Sequence, residues 1–240
     1  MASLPSRSSK LPFGTYLFDL DGTLIDSVEL ILGGYRHAAQ LHLGFVPPDD
    51  VWLAGMGTPL RRQMEGLTDD PELLEAMIET YREYNRQYHD VLLREFPGAR
   101  AVVELLHRLG AKLGVVTSKL GRSARRGLGR CGLNDLFPVV VAADDVEHHK
   151  PHPAPVLLAL KRLGAEAKEA IFIGDSPHDL AAGRAAGVFT AAALWGPIAR
   201  PLLELHQPDF WLNCLDDVAS IERGPGRQDA SLSGEGAPLK

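Results

Sequence analysis

Short apolar runs that stop abruptly on polar residues set the rhythm of the chain. TYLFDLDG begins at Thr15, KLGVVTSK at Lys112, FPVVVAADD at Phe137, AIFIGDSP at Ala170 and VFTAAALWG at Val188. Between the later runs lie stretches of helical period: RSARRGLGRCGL, APVLLALKRLG and PHDLAAGRAAG. Strand, helix, strand in this order predicts a parallel sheet with right-handed crossovers and helices on both faces. Strands buried on both faces read as unbroken apolar runs rather than alternating ones, as these do.

One connection departs from the rhythm. Residues 27–96 carry helical patterns (VELILGGYRHAAQLHL, PELLEAMIETYREYNRQYHDVLL) and hardly any strand signal. A crossover that long is better read as an inserted helical bundle. The predicted fold is therefore α/β: a Rossmann-like parallel-sheet core over 12–26 and 97–222, and a helical unit over 27–96. Residues 1–11 and the Gly-, Ser- and Pro-rich 224–240 read as flexible tails.

Composition changes this picture little. The 240 residues are 45% hydrophobic and 23% charged, as in an ordinary globular protein. A formal charge of -6 offers no general attraction to nucleic acid or to an anionic membrane, so an anionic partner needs a local cation or a metal. Cys131 and Cys214 form no ligand-spaced cluster and read as buried free thiols, which together with the absence of a signal-like N-terminus predicts a cytoplasmic protein. Oligomeric state, monomer or homodimer, is left open.

In an open parallel sheet, ligands bind beyond the carboxyl ends of the strands. Asp19, Asp21, Thr117, Ser118, Asp144, Asp145 and Asp175 all fall there. Asp19 and Asp21 are two residues apart and share a face, so their charges repel unless something offsets them. A hard divalent cation held by Asp19 and Asp175 would do so, and Mg²⁺ takes such oxygen ligands. Asp19 can then act as a nucleophile on phosphorus, while Asp21 carries the proton. Thr117 or Ser118 offers donors to phosphoryl oxygens and Lys150, among prolines, offers a cation. Ser176 and Pro177 read as the start of a helix that sets Asp179 one turn beyond Asp175, in support of the metal.

The ordered set Asp19-Leu-Asp21-Gly22-Thr23, Thr117, Lys150 and Asp175 with Asp179 resembles the four motifs of the haloacid dehalogenase-like (HAD) phosphohydrolases, over roughly residues 13–215. The resemblance implies a helical cap inserted after the first motif, an aspartyl-phosphate on Asp19 and a Mg²⁺ site built from the Asp19 side chain, the Asp21 backbone carbonyl and Asp175. YREYNRQYHDVL, GVVTSK, DDVEHHKPHPAPV and GDSPHDLAAGRAAG look most like the bacterial inorganic pyrophosphatase branch beside the phosphoglycolate phosphatases, which implies diphosphate as substrate. Pro-His-Pro stands here where relatives commonly have Pro-Asp-Pro.

Gly22, Ser118, Arg61, Arg62 and His178 are the candidate substrate contacts. For His178 a plain helix-surface position weighs equally. Arg82 and Arg86 read as a charged helix face beside Glu79 and Glu83. His148, His149 and His152 lack ligand spacing and read as a solvated loop. Competing functions are a phosphoglycolate or other small-monoester phosphatase and a sugar phosphomutase. More distant are a phosphoaspartate signalling module and a binding scaffold. A phosphonate hydrolase using a cap lysine is excluded, because residues 27–96 contain no lysine.

Overall fold

A computed structural model describes residues 11–223. The expectations for 1–10 and 224–240 lie outside the described residues.

Strand β1 (Thr15–Phe18) is followed by the two-residue β2 (Ile25–Asp26) and then four helices: α1 (Val28–Leu43), α2 (Asp49–Gly55), α3 (Leu60–Met64) and α4 (Pro71–Leu92). The chain returns through β3 (Arg94–Glu95). It continues α5 (Ala99–Arg108), β4 (Lys112–Val116), α6 (Gly121–Arg130), β5 (Val139–Val141), α7 (Ala154–Leu163), β6 (Ala170–Gly174), α8 (Pro177–Ala185), β7 (Phe189–Ala193), α9 (Arg200–Glu204) and β8 (Phe210–Leu212).

Six strands form one parallel sheet in the order β5-β4-β1-β6-β7-β8. β1 is central, with Phe18 level with Val115 of β4 and Ile173 of β6. The residues just past β1, β4 and β6 therefore converge. Side chains alternate faces along the strand. Tyr16 and Phe18 join one core with Val102 and Leu106 of α5 and Leu128 of α6. Leu17 joins the opposite core with Val156 and Leu160 of α7. Burying both faces accounts for the unbroken apolar runs. β8 is a sixth strand absent from the sequence-based prediction: it is short, half-buried and carries no flanking helical period.

The insertion has a core of its own, in which Tyr35 stacks on Trp52 with centroids 4.3 Å apart. Leu74, Met77 and Ile78 sit at i, i+3 and i+4 of α4 and turn one apolar stripe to α1, as helical period dictates. α4 starts where Asp70 accepts from the Glu72 N–H, with Pro71 first in the helix. α1 can approach so closely because it carries glycine: a Cβ at Gly33 would lie 2.4 Å from the Tyr84 hydroxyl. Both chain crossings between insertion and sheet meet in one antiparallel ladder, Ile25 with Glu95 and Asp26 with Arg94. The sequence carried hardly any strand signal for it, because two residues per strand form no period.

The insertion also rests on the sheet unit. Met56 and Leu53 pack with Leu180 of α8, Ala192 of β7 and Ile198. Among the described residues, no helix is long and apolar enough to cross a membrane. Both cysteines are free, but Cys131 is only half-buried and Cys214 is exposed, which corrects the buried placement expected. Cys214 follows the edge strand β8 and caps the short 3-10 helix Leu215–Ser220.

Candidate active site

Asp19 is the first residue past β1, and its N–H still donates to the Ile173 carbonyl at 2.9 Å. The central strand thus fixes it. Asp175 leaves β6 beside it, and Asp179 follows on the first turn of α8. The capping pattern read from the sequence is present: the Ser176 hydroxyl accepts from the Asp179 N–H, and Asp179 Oδ2 accepts from the Ser176 N–H at 3.1 Å. Asp19, Asp175 and Asp179 each offer an oxygen within 4.8 Å of the others, and all three are buried.

Lys150 reaches into this cluster from the loop before α7. Its Nζ donates to Asp19 Oδ1 at 2.8 Å, to Asp179 Oδ1 at 2.6 Å and to the Val116 carbonyl at 3.3 Å. At 1% exposure it is as deep as a core leucine, although a lone lysine in a polar loop is ordinarily solvated. Burial opposes its charge, yet the Asp179 and Asp19 carboxylates hold its pKa above the ordinary lysine value. The site remains short of positive charge, with three carboxylates against one ammonium. Burial and the neighbouring Asp179 charge push Asp19 up to about 7 against the pull of Lys150. Asp175 is raised well above the usual carboxylate range by burial and by Asp19. Such a pocket takes up a proton or a cation.

The three carboxylates are not equivalent. Asp179 is bonded through both oxygens, to Lys150 and to Ser176. Asp19 Oδ1 accepts from Lys150, and Asp175 Oδ1 accepts from the Thr23 hydroxyl at 2.7 Å. An all-oxygen, buried and acidic donor set suits a hard divalent cation such as Mg²⁺.

Gly22 makes the turn beside them. Its φ is +85°, and a Cβ there would lie 2.3 Å from Asp175 Oδ2. Only glycine permits both the left-handed turn and this approach.

Asp21 stands apart from the cluster. Its Oδ1 accepts from the Ser27 hydroxyl at 2.5 Å and from Lys119 Nζ at 2.6 Å. The insertion closes over this side: the Ser118 hydroxyl donates to the Gly57 carbonyl at 2.5 Å. A Cβ at Gly57 would lie 2.6 Å from Ser176 Oγ and 3.4 Å from the His178 ring.

The haloacid dehalogenase-like hydrolase family model matches residues 16–193. A pyrophosphatase of Anoxybacillus flavithermus is 41% identical over 207 residues, covering 86% of this chain and 95% of that protein. The chain belongs to the haloacid dehalogenase-like hydrolases. The enzyme class expected from the sequence, a phosphohydrolase of this family, holds. A Bacteroides fragilis protein assigned to the same hydrolases has a similar fold, with a TM-score of 0.80 at 28% identity over 86% of this chain and 99% of that one. A predicted phosphoglycolate phosphatase from Haemophilus somnus shares the fold, with a TM-score of 0.81 at 21% identity over 88% of this chain and 98% of that one.

Of the residues expected in the site of this HAD-like hydrolase, the structure joins Asp19, Asp175, Asp179 and Lys150 directly. Thr117 is buried at the end of β4, with its hydroxyl accepting from the Lys119 N–H at 3.2 Å. Ser118 meets the insertion rather than standing free. His178 is half-buried beneath Gly57, and burial lowers its pKa. Arg61, expected as a substrate contact, forms an exposed ion pair with Glu75. Arg62 instead lines a cleft of about 530 Å³ with His148, His149 and His152. Arg86 pairs with Glu79 and Glu83 and Arg82 with Glu79, the charged helix face expected. The strand-end acids Asp144 and Asp145 are structural: Asp144 accepts from the Gly121 N–H at the start of α6, and Asp145 holds Arg162.

Two contributors went unnoticed in the sequence. Thr23 was read only as part of a motif, yet it orients Asp175. Lys119 follows Thr117-Ser118 directly, and only its reach to Asp21 in space singles it out.

Proposed function

We propose that this phosphohydrolase cleaves inorganic diphosphate to two phosphates through an aspartyl-phosphate on Asp19, with Mg²⁺ as cofactor. The observation that carries this reading is the buried Asp19–Asp175–Asp179 cluster bridged by Lys150. Asp19 and Asp175, each with one oxygen committed to the protein, would hold the metal together with the Asp21 backbone carbonyl. Asp179, bonded through both oxygens, would support it from behind. When bound, Mg²⁺ supplies the positive charge that lets an anionic substrate approach an anionic nucleophile.

The residues then divide the work. Lys150 fixes Asp19 with its carboxylate aimed beyond the sheet edge. An Asp19 oxygen attacks one phosphorus, and the bond from that phosphorus to the bridging oxygen breaks. Asp21 gives its proton to the departing oxygen. A water then attacks the aspartyl-phosphate, Asp21 takes up the water's proton, and Asp19 is restored. One diphosphate and one water yield two phosphates. Thr117 and the backbone of the Gly22 turn serve the transferring oxygens. Helices α1–α4, within 27–96, act as a cap domain over a core of 12–26 and 97–222. The docked cap limits the space and excludes water, which favours a small substrate. Diphosphate is preferred because relatives near 40% identity are named pyrophosphatases. A cytoplasmic location belongs to the same reading.

The test is Mg²⁺-dependent phosphate release from diphosphate, phosphoglycolate and a panel of sugar and nucleotide monophosphates, with Asp19→Asn as the blank. Diphosphate should lead by more than about tenfold in kcat/KM, a difference of about 1.4 kcal/mol in transition-state binding. A monoester in the lead would overturn the substrate while leaving the chemistry intact.

A further inference from the structure

Asp21 is held by a cation to which the sequence assigned no role, Lys119 at the end of GVVTSK. Lys119 Nζ and the Ser27 hydroxyl share Asp21 Oδ1, at 2.6 and 2.5 Å. The pair is largely enclosed, with the Lys119 side chain 17% and the Asp21 side chain 16% exposed. Charge–charge contacts screened from water in this way are stronger than exposed ones.

Arg36, Arg61, Arg62 and Arg86 of the insertion are directed elsewhere. Arg36 engages Asp49 and Glu29, Arg61 engages Glu75, and Arg86 engages Glu79 and Glu83. Arg62 faces the histidine-lined cleft. From the insertion, Asp21 receives the Ser27 hydroxyl, and its charge adds to burial in raising Tyr35 and Tyr81 above the usual tyrosine range. On this side of the site, the cation bonded to the proton carrier comes from the sheet unit.

The geometry points to Lys119 as the residue that selects the leaving group: it receives a negative charge carried by that group. The enzyme would thus favour substrates that release an anion, phosphate from diphosphate or a carboxylate-bearing alcohol, over those that release a neutral alcohol. This rests on the phosphohydrolase reading above, in which the departing oxygen lies within hydrogen-bond reach of Asp21 to take its proton. Whatever is attached to that oxygen then occupies the space beside Lys119 Nζ. An anion there gains a charge-assisted contact, and the flexible four-carbon stem lets the ammonium follow it. A neutral group gains nothing comparable.

The test compares Lys119→Met with the wild type on diphosphate, phosphoglycolate and ethyl phosphate, the last releasing a two-carbon alcohol without glycolate's carboxylate. Intrinsic leaving-group reactivity cancels when the two enzymes are compared. All three rates should fall, because Asp21 also loses a partner, but kcat/KM for the two anionic-leaving substrates should fall about 30-fold further than for ethyl phosphate. Lys119→Arg should keep most of the preference. Equal losses on all three substrates would show that Lys119 only positions Asp21 and would overturn the inference. A wild type that turns over none of the three would remove the phosphohydrolase reading, and this inference with it.

Should Lys119→Met fail to fold, inhibition of the wild type decides. 3-Phosphonopropionate, the non-hydrolysable counterpart of phosphoglycolate, should inhibit about 30-fold more tightly than uncharged-tailed propylphosphonate. Equal inhibition would overturn the inference.

Discussion

The two halves of the site are built differently. On one side Asp19, Asp175, Asp179 and Lys150 are buried and cross-linked by short hydrogen bonds; the acids spring from the ends of adjacent strands or the helix that follows, and Lys150 from the loop before α7. On the other, Asp21, Lys119, Ser27 and Ser118 are buried to differing degrees and lie where the insertion leaves and meets the sheet unit. The first half is rigid because the central strand and a capped helix hold it. The second depends on long or hydroxyl side chains and on a loop from another unit. A reaction shared across a family belongs on the first kind of support, and a preference that varies among its members belongs on the second.

Breaking the buried half should have the largest effect. Lys150→Met leaves Asp19 and Asp179 facing each other in a dry pocket, and should cost about 3–5 kcal/mol of stability as well as activity. Chemical denaturation with and without Mg²⁺ checks this, and Mg²⁺ should recover part of the loss. For the intact protein, free Mg²⁺ at about 100 times its dissociation constant should add about 2.7 kcal/mol. That corresponds to a rise in Tm of roughly 5–10 °C for a chain of this size. Asp175→Asn should abolish most of that shift in a thermal melt.

The second half should answer more weakly in stability and more in KM. Ser118→Ala removes the hydrogen bond to Gly57 that ties the insertion down. It should cost about 1 kcal/mol or less in global stability, while hydrogen exchange in the 55–59 loop becomes faster. The smallest effect concerns His89 on α4, which is buried, bonded through Nδ1 to Asp90 at 2.6 Å, and without a partner at Nε2 among the described residues. Burial, aided by the Arg126 and Lys119 charges, lowers its pKa below the ordinary value against the pull of Asp90. The folded protein then binds that proton less readily than the unfolded chain. The stability this contributes is complete above the unfolded pKa of about 6.5 and is lost as pH falls below it. Denaturation midpoints between pH 7 and pH 5 should decline less steeply in His89→Gln than in the wild type.

The same division decided how much could be read from the sequence. Asp19 and Asp175 were legible because a parallel sheet brings the ends of successive apolar runs together, and because acids at such ends stand out against the runs; Lys150 was legible as a lysine set among prolines. Ser176 and Asp179 were legible as a helix start. Lys119 was not, since a long side chain beside a strand end gives no sign of which way it turns. For the matching reason the partner of Arg61 was not legible: its position after a Gly- and Pro-rich loop pointed to an anion, and nothing in the sequence shows that Glu75, fourteen residues on, lies within its reach. Asp144 and Asp145 sit at a strand end like Asp19, yet β5 is at the sheet edge, and there they serve α6 and Arg162 instead. Edge strand β8 and the β2–β3 ladder are too short to carry a period at all.

The mechanism turns on phosphorylation of the Asp19 carboxylate itself. The most direct measurement is mass spectrometry of peptides from enzyme quenched in acid during turnover of diphosphate with Mg²⁺. One added phosphoryl group is expected on the peptide containing Asp19, stronger in Asp21→Asn, where the activation of water is impaired, and absent in Asp19→Asn. Sustained turnover by Asp19→Asn, or a phosphoryl group on a different residue, would contradict it.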